Sequence, residues 1–311
     1  MNQPSVFIGI LNYNKGKYLS QCIDSVLEQI TTFSYTIHIV DDASTDNSLS
    51  VIDGYVRKNP EIIHVSFHDT NRGVLAATQN LLSHCKSKYF CVLDGDDYWC
   101  SNSKLEKQLL FLENHPDYVG CFHDAQIVTS IETDDAITNN RSLGRFALFS
   151  QCNFYKEDVY PEDLVKRIII PTASLVFRYS NLNHIIKEQT DYLSLYWVLQ
   201  LEIIKNSKFR YFNEVWSVYR DHSDGISKTH SLLRFKLRHI EWLKHLLSDP
   251  YYAKYKTAVY ESIANEYRNL IWALKYEDSQ GYQLNKFFRE FWFYYSRAGK
   301  YQLKDLKKYL E

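Results

Sequence analysis

Four short apolar runs, at residues 6–11, 35–40, 62–67 and 89–93, alternate with segments whose apolar residues recur at helical spacing. Tyr18, Leu19, Cys22, Ile23, Val26 and Leu27 line the first such segment. Leu49, Ile52 and Val56 line the second, and Val74, Thr78, Leu81, Leu82 and Cys85 the third. Repetition of strand then helix predicts a parallel, doubly wound sheet, because right-handed crossovers return each strand in the direction of the last. Every strand then ends on one edge, where folds of this kind bind ligands. Here those ends are polar: Asn12-Tyr13-Asn14, Asp41-Asp42, Asn71-Arg72-Gly73 and Asp94-Gly95-Asp96-Asp97.

The fourth run, Tyr89-Phe90-Cys91-Val92-Leu93, carries no charge, yet three carboxylates follow it within four residues. Such acids repel one another unless a cation lies among them, and hard oxygen ligands of this kind suit Mg²⁺ or Mn²⁺ carrying a phosphate ester. An acidic turn capping the next helix would use the same residue types. Taken singly, each polar strand end is also ordinary loop chemistry.

Further along, Leu105, Leu109 and Leu112 mark a helix ending before Pro116, and residues 118–123 read as a strand. Residues 129–144 are polar and irregular. A helix around 162–168, a strand at 174–178 and a helical run over 192–204, opened by Thr190-Asp191, come next. Residues 209–212 and 215–220 read as two strands leading into His222-Ser223-Asp224-Gly225. From Ser231 the pattern is helical. Of the 83 residues from 229 to 311, 19 are aromatic, so these helices must pack against the preceding domain, a second copy of the chain or a lipid interface. This region is also basic: it holds 15 of the 36 Lys+Arg and 9 of the 37 Asp+Glu, leaving 21 against 28 for residues 1–228. The expected division is therefore a domain over 1–228 and a helical region over 229–311.

Six cysteines without a C-x-x-C pair read as reduced thiols. No leader pattern and no apolar stretch of membrane-spanning length is present, so a cytoplasmic protein is expected, at most resting on the inner face of a membrane. Walker A, dinucleotide G-x-G-x-x-G and H-E-x-x-H patterns are absent, which removes ATPase, dehydrogenase and zinc-protease readings. No nucleic-acid partner is expected.

The set formed by Ile10–Asn14, Val40–Asp46, Asn71-Arg72-Gly73 and Leu93–Trp99, in order, spacing and strand-end context, resembles the family-two glycosyltransferases. Val218-Tyr219-Arg220-Asp221-His222 looks like that family's closing Y-R-x-H motif. The resemblance implies an α/β, GT-A type, Rossmann-like and mostly parallel sheet flanked by helices, with the C-terminal all-helical extension outside it. It implies a nucleotide-sugar donor, of UDP type, a glycan or lipid-linked acceptor, and a Mn²⁺ or Mg²⁺ cofactor. Carried over to this sequence, Tyr13 flanks the nucleobase, Asp41 bonds the base edge, and Asn71 and Gly73 line the nucleotide. Asp96 holds ribose, Asp97 and His222 bind the metal, and Asp191 is the general base of an inverting transfer. Thr190 stands where relatives carry a glutamate before that base, and residues 170–174 lack the family's glycine. The alternative of another class is a non-catalytic nucleotide-sugar-binding or assembly protein acting through its C-terminal helices.

Overall fold

The computed structural model describes residues 5–129, 148–152, 156–166, 170–179, 195–222, 232–276 and 281–299. Strands β1 (Val6–Asn12), β2 (Tyr35–Asp41), β3 (Ile63–Phe67) and β4 (Tyr89–Asp94) alternate with helices α1 (Gly16–Leu27), α2 (Ser48–Lys58) and α3 (Gly73–His84). They pair in parallel in the order β3-β2-β1-β4, with Asn12 beside Asp41 and Leu11 beside Asp94. All seven residues of β1 are buried, as a central strand covered on both faces requires. Val6, Ile8 and Ile10 join Leu19, Cys22, Ile23 and Val26 of α1 in one core, while Phe7 stacks on Phe90 and His38 on the other face. Gly9 lets α3 close onto that second face: a Cβ there would stand 2.5 Å from a Leu81 methyl.

The sheet continues through strands inserted from later in the chain. β5 (Tyr98–Trp99) leads into α4 (Lys104–Asn114); then come β6 (Tyr118–Thr129), the one-turn α5 (Phe149–Cys152), β7 (Asp158–Val159) and α6 (Pro161–Lys166). A 3₁₀ turn (Thr172–Ser174), β8 (Val176–Arg178), α7 (Leu195–Ile203) and β9 (Lys208–Asp221) follow. Beyond β4 the order runs β8-β6-β9-β5, with β8 antiparallel to both neighbours and β7 attached to β9.

The two strands read at 209–212 and 215–220 are one strand, β9. Asn213 and Glu214, which resemble a turn in the sequence, are exposed and sit in a bulge: His123 pairs with Phe212 and Asp124 with Val215. Strand β6 likewise runs to Thr129 rather than stopping at His123. The polar segment after it lies, beyond Thr129, outside the described residues. Cys22, Cys85, Cys91, Cys100 and Cys121 are free thiols.

Among the described residues the chain divides into two compact units, the first carrying the sheet through its last strand. The second contains α8 (Leu232–Leu246), a 3₁₀ turn (Pro250–Tyr255), α9 (Lys256–Tyr276) and α10 (Gly281–Arg297). Its interior holds Ile240, Leu243, Val259, Ile263, Leu270, Phe287 and Phe291, so part of the aromatic content serves as core. Two polar clusters are tucked among the helices. Glu266 pairs with Lys236 at 2.7 Å, and Lys244 donates to Tyr267 at 2.9 Å and to Glu290 at 3.3 Å. No described helix is long and apolar enough to cross a membrane.

Candidate active site at the strand ends

The loops leaving β1 and β2 are sewn together by side chains. Asp41 accepts from Asn12 Nδ2 at 2.6 Å, from the Ser44 amide at 2.9 Å and from the Ser44 hydroxyl at 2.6 Å. Asn14, with φ of 54°, accepts the Thr45 amide at 2.7 Å, and Ala43 takes φ of 62° to turn the partner loop toward it. Tyr13, between Asn12 and Asn14, is left 42% exposed, an available flat ring at the sheet edge. An ionised carboxylate offers about four acceptor positions, so Asp41 keeps one for a further donor.

Asp42 organises the next loop. Its carboxylate accepts the amides of Arg72 at 2.8 Å and Gly73 at 2.7 Å, and stands 2.7 Å from His68 Nδ1. Asn71 Oδ1 also accepts the Gly73 amide, at 3.1 Å. Gly73 is needed for its φ of +82°, since a Cβ there would meet nothing within 4 Å. In the sequence Asp42 stands only as the second acid of a polar strand end, with no task of its own.

The carboxylates after β4 are drawn apart by their partners. Asp94 Oδ1 accepts from the Tyr196 hydroxyl at 3.2 Å; burial and the neighbouring Asp96 charge push Asp94 up to about 7. Asp97 is 2% exposed and accepts the Arg220 amide at 3.0 Å, while burial, then the charges of Asp96 and Asp94, push it well above the ordinary carboxylate range. Burial works against ionised Asp96 too, but His222 and Lys15 outweigh it and hold Asp96 below that range. Lys15 Nζ and His222 Nε2 stand 2.9 and 3.0 Å from Asp96 Oδ2.

Strand β9 delivers the last two residues. It pairs with β5, Tyr98 opposite Val218 and Trp99 opposite Ser217, which sets Arg220 and His222 over the acidic turn. The Arg220 guanidinium lies over the rings of Tyr18 and Tyr98, at 4.9 and 4.6 Å, and donates to the Asp96 carbonyl and to Gln21. His222 is 3% exposed, tilts against Tyr18 at 5.1 Å, and its Nδ1 is buried with no hydrogen-bond partner among the described residues. Asp96 and His222, 126 residues apart, are thus brought together, whereas Asp97 turns to the Arg220 backbone. Asp191 lies outside the described residues.

A divalent cation fits this donor set as a shared site. Among the described residues no group of three or more His, Cys, Asp or Glu gathers closely enough to enclose an ion. Asp96 and His222 supply one carboxylate and one imidazole on a position that already attracts the Lys15 ammonium. Mg²⁺-type sites commonly take one or two protein ligands and complete their shell with substrate phosphates and water.

The chain is similar to known proteins in sequence and in fold. The chain spans 58% of the length of uncharacterized mycobacterial proteins to which it is 28% identical over 220 residues, 70% of its own length. It is 36% identical over 110 residues, 35% of this chain and 42% of that protein, to the putative teichuronic acid biosynthesis glycosyltransferase TuaG of Bacillus subtilis. The fold is shared with Staphylococcus aureus TarS in complex with UDP-GlcNAc: TM-score 0.62, 15% identity, 85% of this chain and 73% of that one. It is also shared with the mannosyltransferase PcManGT of Pyrobaculum calidifontis, in complex with GDP-Man and Mn²⁺: TM-score 0.55, 14% identity, 96% and 84%. The GT-A type sheet flanked by helices is therefore the architecture found. The model of glycosyl transferase family 2 matches residues 7–181, more than half of the sequence, and the chain belongs to that family.

Proposed function

We propose that this chain transfers a sugar, with inversion, from a nucleotide-sugar of UDP type to a glycan or lipid-linked acceptor during assembly of a surface polysaccharide. The observation that carries this reading is the meeting of Asp96 and His222 at the edge where all four parallel strands end. In it, Tyr13 gives the nucleobase a flat surface and Asp41 accepts a base N–H with its remaining lone pair. Asn71 and Gly73 line the nucleotide's edge on a loop held by Asp42.

Asp96 and His222 hold Mn²⁺ or Mg²⁺, with Asp97 shaping the turn through the Arg220 amide; the ligand role expected of Asp97 passes to Asp96 in this reading. Once bound, such an ion offsets the negative charge that grows on the departing diphosphate. Asp191 is proposed as the base on the acceptor side. The acceptor oxygen bonds to C1 from the face opposite the diphosphate, the C1–O bond to the diphosphate breaks, and the hydroxyl proton passes to the carboxylate. TuaG, whose name places it in teichuronic acid biosynthesis, and TarS, crystallised with UDP-GlcNAc, support the polymer class and the donor type. The second unit is proposed to offer a surface for a second copy or for the cytoplasmic face of a membrane.

Calorimetric titration of UDP, GDP and their common sugar conjugates, with and without Mn²⁺, tests the donor site. Mn²⁺-dependent binding of uridine nucleotides, lost in Asp96→Asn, is the expected result. Binding of neither nucleotide family under any condition would overturn the reading and favour a protein acting through its C-terminal helices.

A further inference from the structure

Lys15 sits in the turn between β1 and α1, where its carbonyl accepts the amides of Tyr18 and Leu19 and opens the helix. Its side chain is 12% exposed, and its ammonium contacts Oδ2 of Asp96, the same oxygen that faces His222 Nε2. One carboxylate oxygen thus serves two nitrogens, one of them fully charged, at the position the Asp96–His222 pair offers a divalent cation. An ammonium and a divalent cation this close repel strongly, and partly buried charges are poorly screened by salt. They cannot share that oxygen.

We propose that Lys15 is a stand-in cation: it fills the ion position of the empty protein and leaves Asp96 for the diphosphate when a divalent ion arrives with its nucleotide. This rests on the reading that Asp96 and His222 hold an ion. Lysine suits the exchange because its ammonium is a compact point charge on a flexible stem and binds phosphate without demanding one orientation. Arg220 is the unsuitable cation of the pair, held over Tyr18 and Tyr98 and bonded to Gln21 and the Asp96 carbonyl. The backbone beneath Lys15 is fixed as well. The Gly16 amide donates to Asp46 Oδ2 at 2.8 Å, and a Cβ at Gly16 would come within 2.1 Å of Asn47 Oδ1. The exchange is then a side-chain rotation, and its consequence is that ion and nucleotide bind together rather than separately.

The test follows the electron paramagnetic resonance signal of free Mn²⁺ during titration of the wild-type protein, Lys15→Met and Lys15→Arg, without nucleotide and with saturating UDP or GDP. Lys15→Met should bind Mn²⁺ alone about 10-fold tighter than wild type, and the enhancement of ion binding by nucleotide should shrink by a similar factor. Lys15→Arg, which keeps the charge, should stay close to wild type. Where the wild-type site is intact and weakened by Asp96→Asn, unchanged or weaker Mn²⁺ binding by Lys15→Met would overturn the role of Lys15 and leave the ion site standing. Mn²⁺ binding that Asp96→Asn does not weaken, or none even with nucleotide, would overturn the ion reading and this inference together. Circular dichroism verifies the fold of each variant, with Lys15→Gln replacing Lys15→Met if that variant is unfolded.

Discussion

Carboxylates withdrawn from water are handled differently in the two units. At the strand ends, Asp94 is pushed up to about 7 and Asp97 well above its ordinary range, because three acids share one turn and Lys15, Arg220 and His222 serve them unequally. Among the C-terminal helices Glu266 is partly buried, yet His239 and Lys236 outweigh that burial and bring it down to about 2. The helical cluster pairs its acid, whereas at the sheet edge Lys15 and His222 hold only Asp96 low, and Asp94 and Asp97 stay raised. An acidic turn whose members titrate apart, beside Tyr13 and fixed loops, is the pattern of a functional site, whereas Glu266 is held in a pair.

Breaking the sheet-edge side of that contrast should give the largest effect. Asp96→Asn is expected to weaken Mn²⁺-dependent nucleotide binding by about 100-fold or more, and Asp97→Asn by roughly 10-fold, since an amide oxygen can still accept the Arg220 N–H. Equal losses, measured by calorimetry on both variants, would return the ligand role to Asp97.

Next in size is the frame of the site. Asp42→Ala leaves two amides and the His68 ring without their acceptor, and should cost about 2–4 kcal/mol in urea unfolding. A loss below about 1 kcal/mol would mean water replaces the carboxylate and the loop is not held by it.

The helical side gives the smallest change and the clearest pH signature. Glu266 has a folded pKa below its unfolded value, so its contribution is complete above pH 4.5 and fades as pH falls through about 2. Glu266→Gln should therefore be about 2 kcal/mol less stable than wild type near pH 7, with the gap closing across that window. A gap that stays constant down to pH 2 would show that Glu266 acts by packing rather than by charge.

Local pattern carried much of this molecule. Strands β1 to β4 are legible as short apolar runs and helices α1 to α4 by their apolar period of 3.6, with ends marked by Asp, Asn and Gly. By sequence β9 divides in two because Asn213-Glu214 has turn chemistry, and only pairing with β6 reveals a bulge. The insertion of β8 between β4 and β6 rests on three residues of long-range pairing that no local signal encodes. At the site, Asp41, Asn71, Gly73 and the acidic turn announce themselves as strand ends. Lys15 does not, since a lysine in a turn reads as a solvated charge until its partner is seen. Arg220 stood inside a recognised motif without a task, because its task is to lie between two tyrosines distant in sequence.

The 126-residue separation of His222 from Asp96 also has a meaning in time. The ribosome releases the parallel half of the sheet first, acids exposed on its edge, while the strand that brings Arg220 and His222 is still unmade. At ordinary elongation rates that interval is about 6–25 s. During it the nascent chain carries the acidic turn but no His222 to pair with it, so completion of β9 acts as the moment of assembly. A chain stopped short of His222 would keep much of the fold and lack that pair.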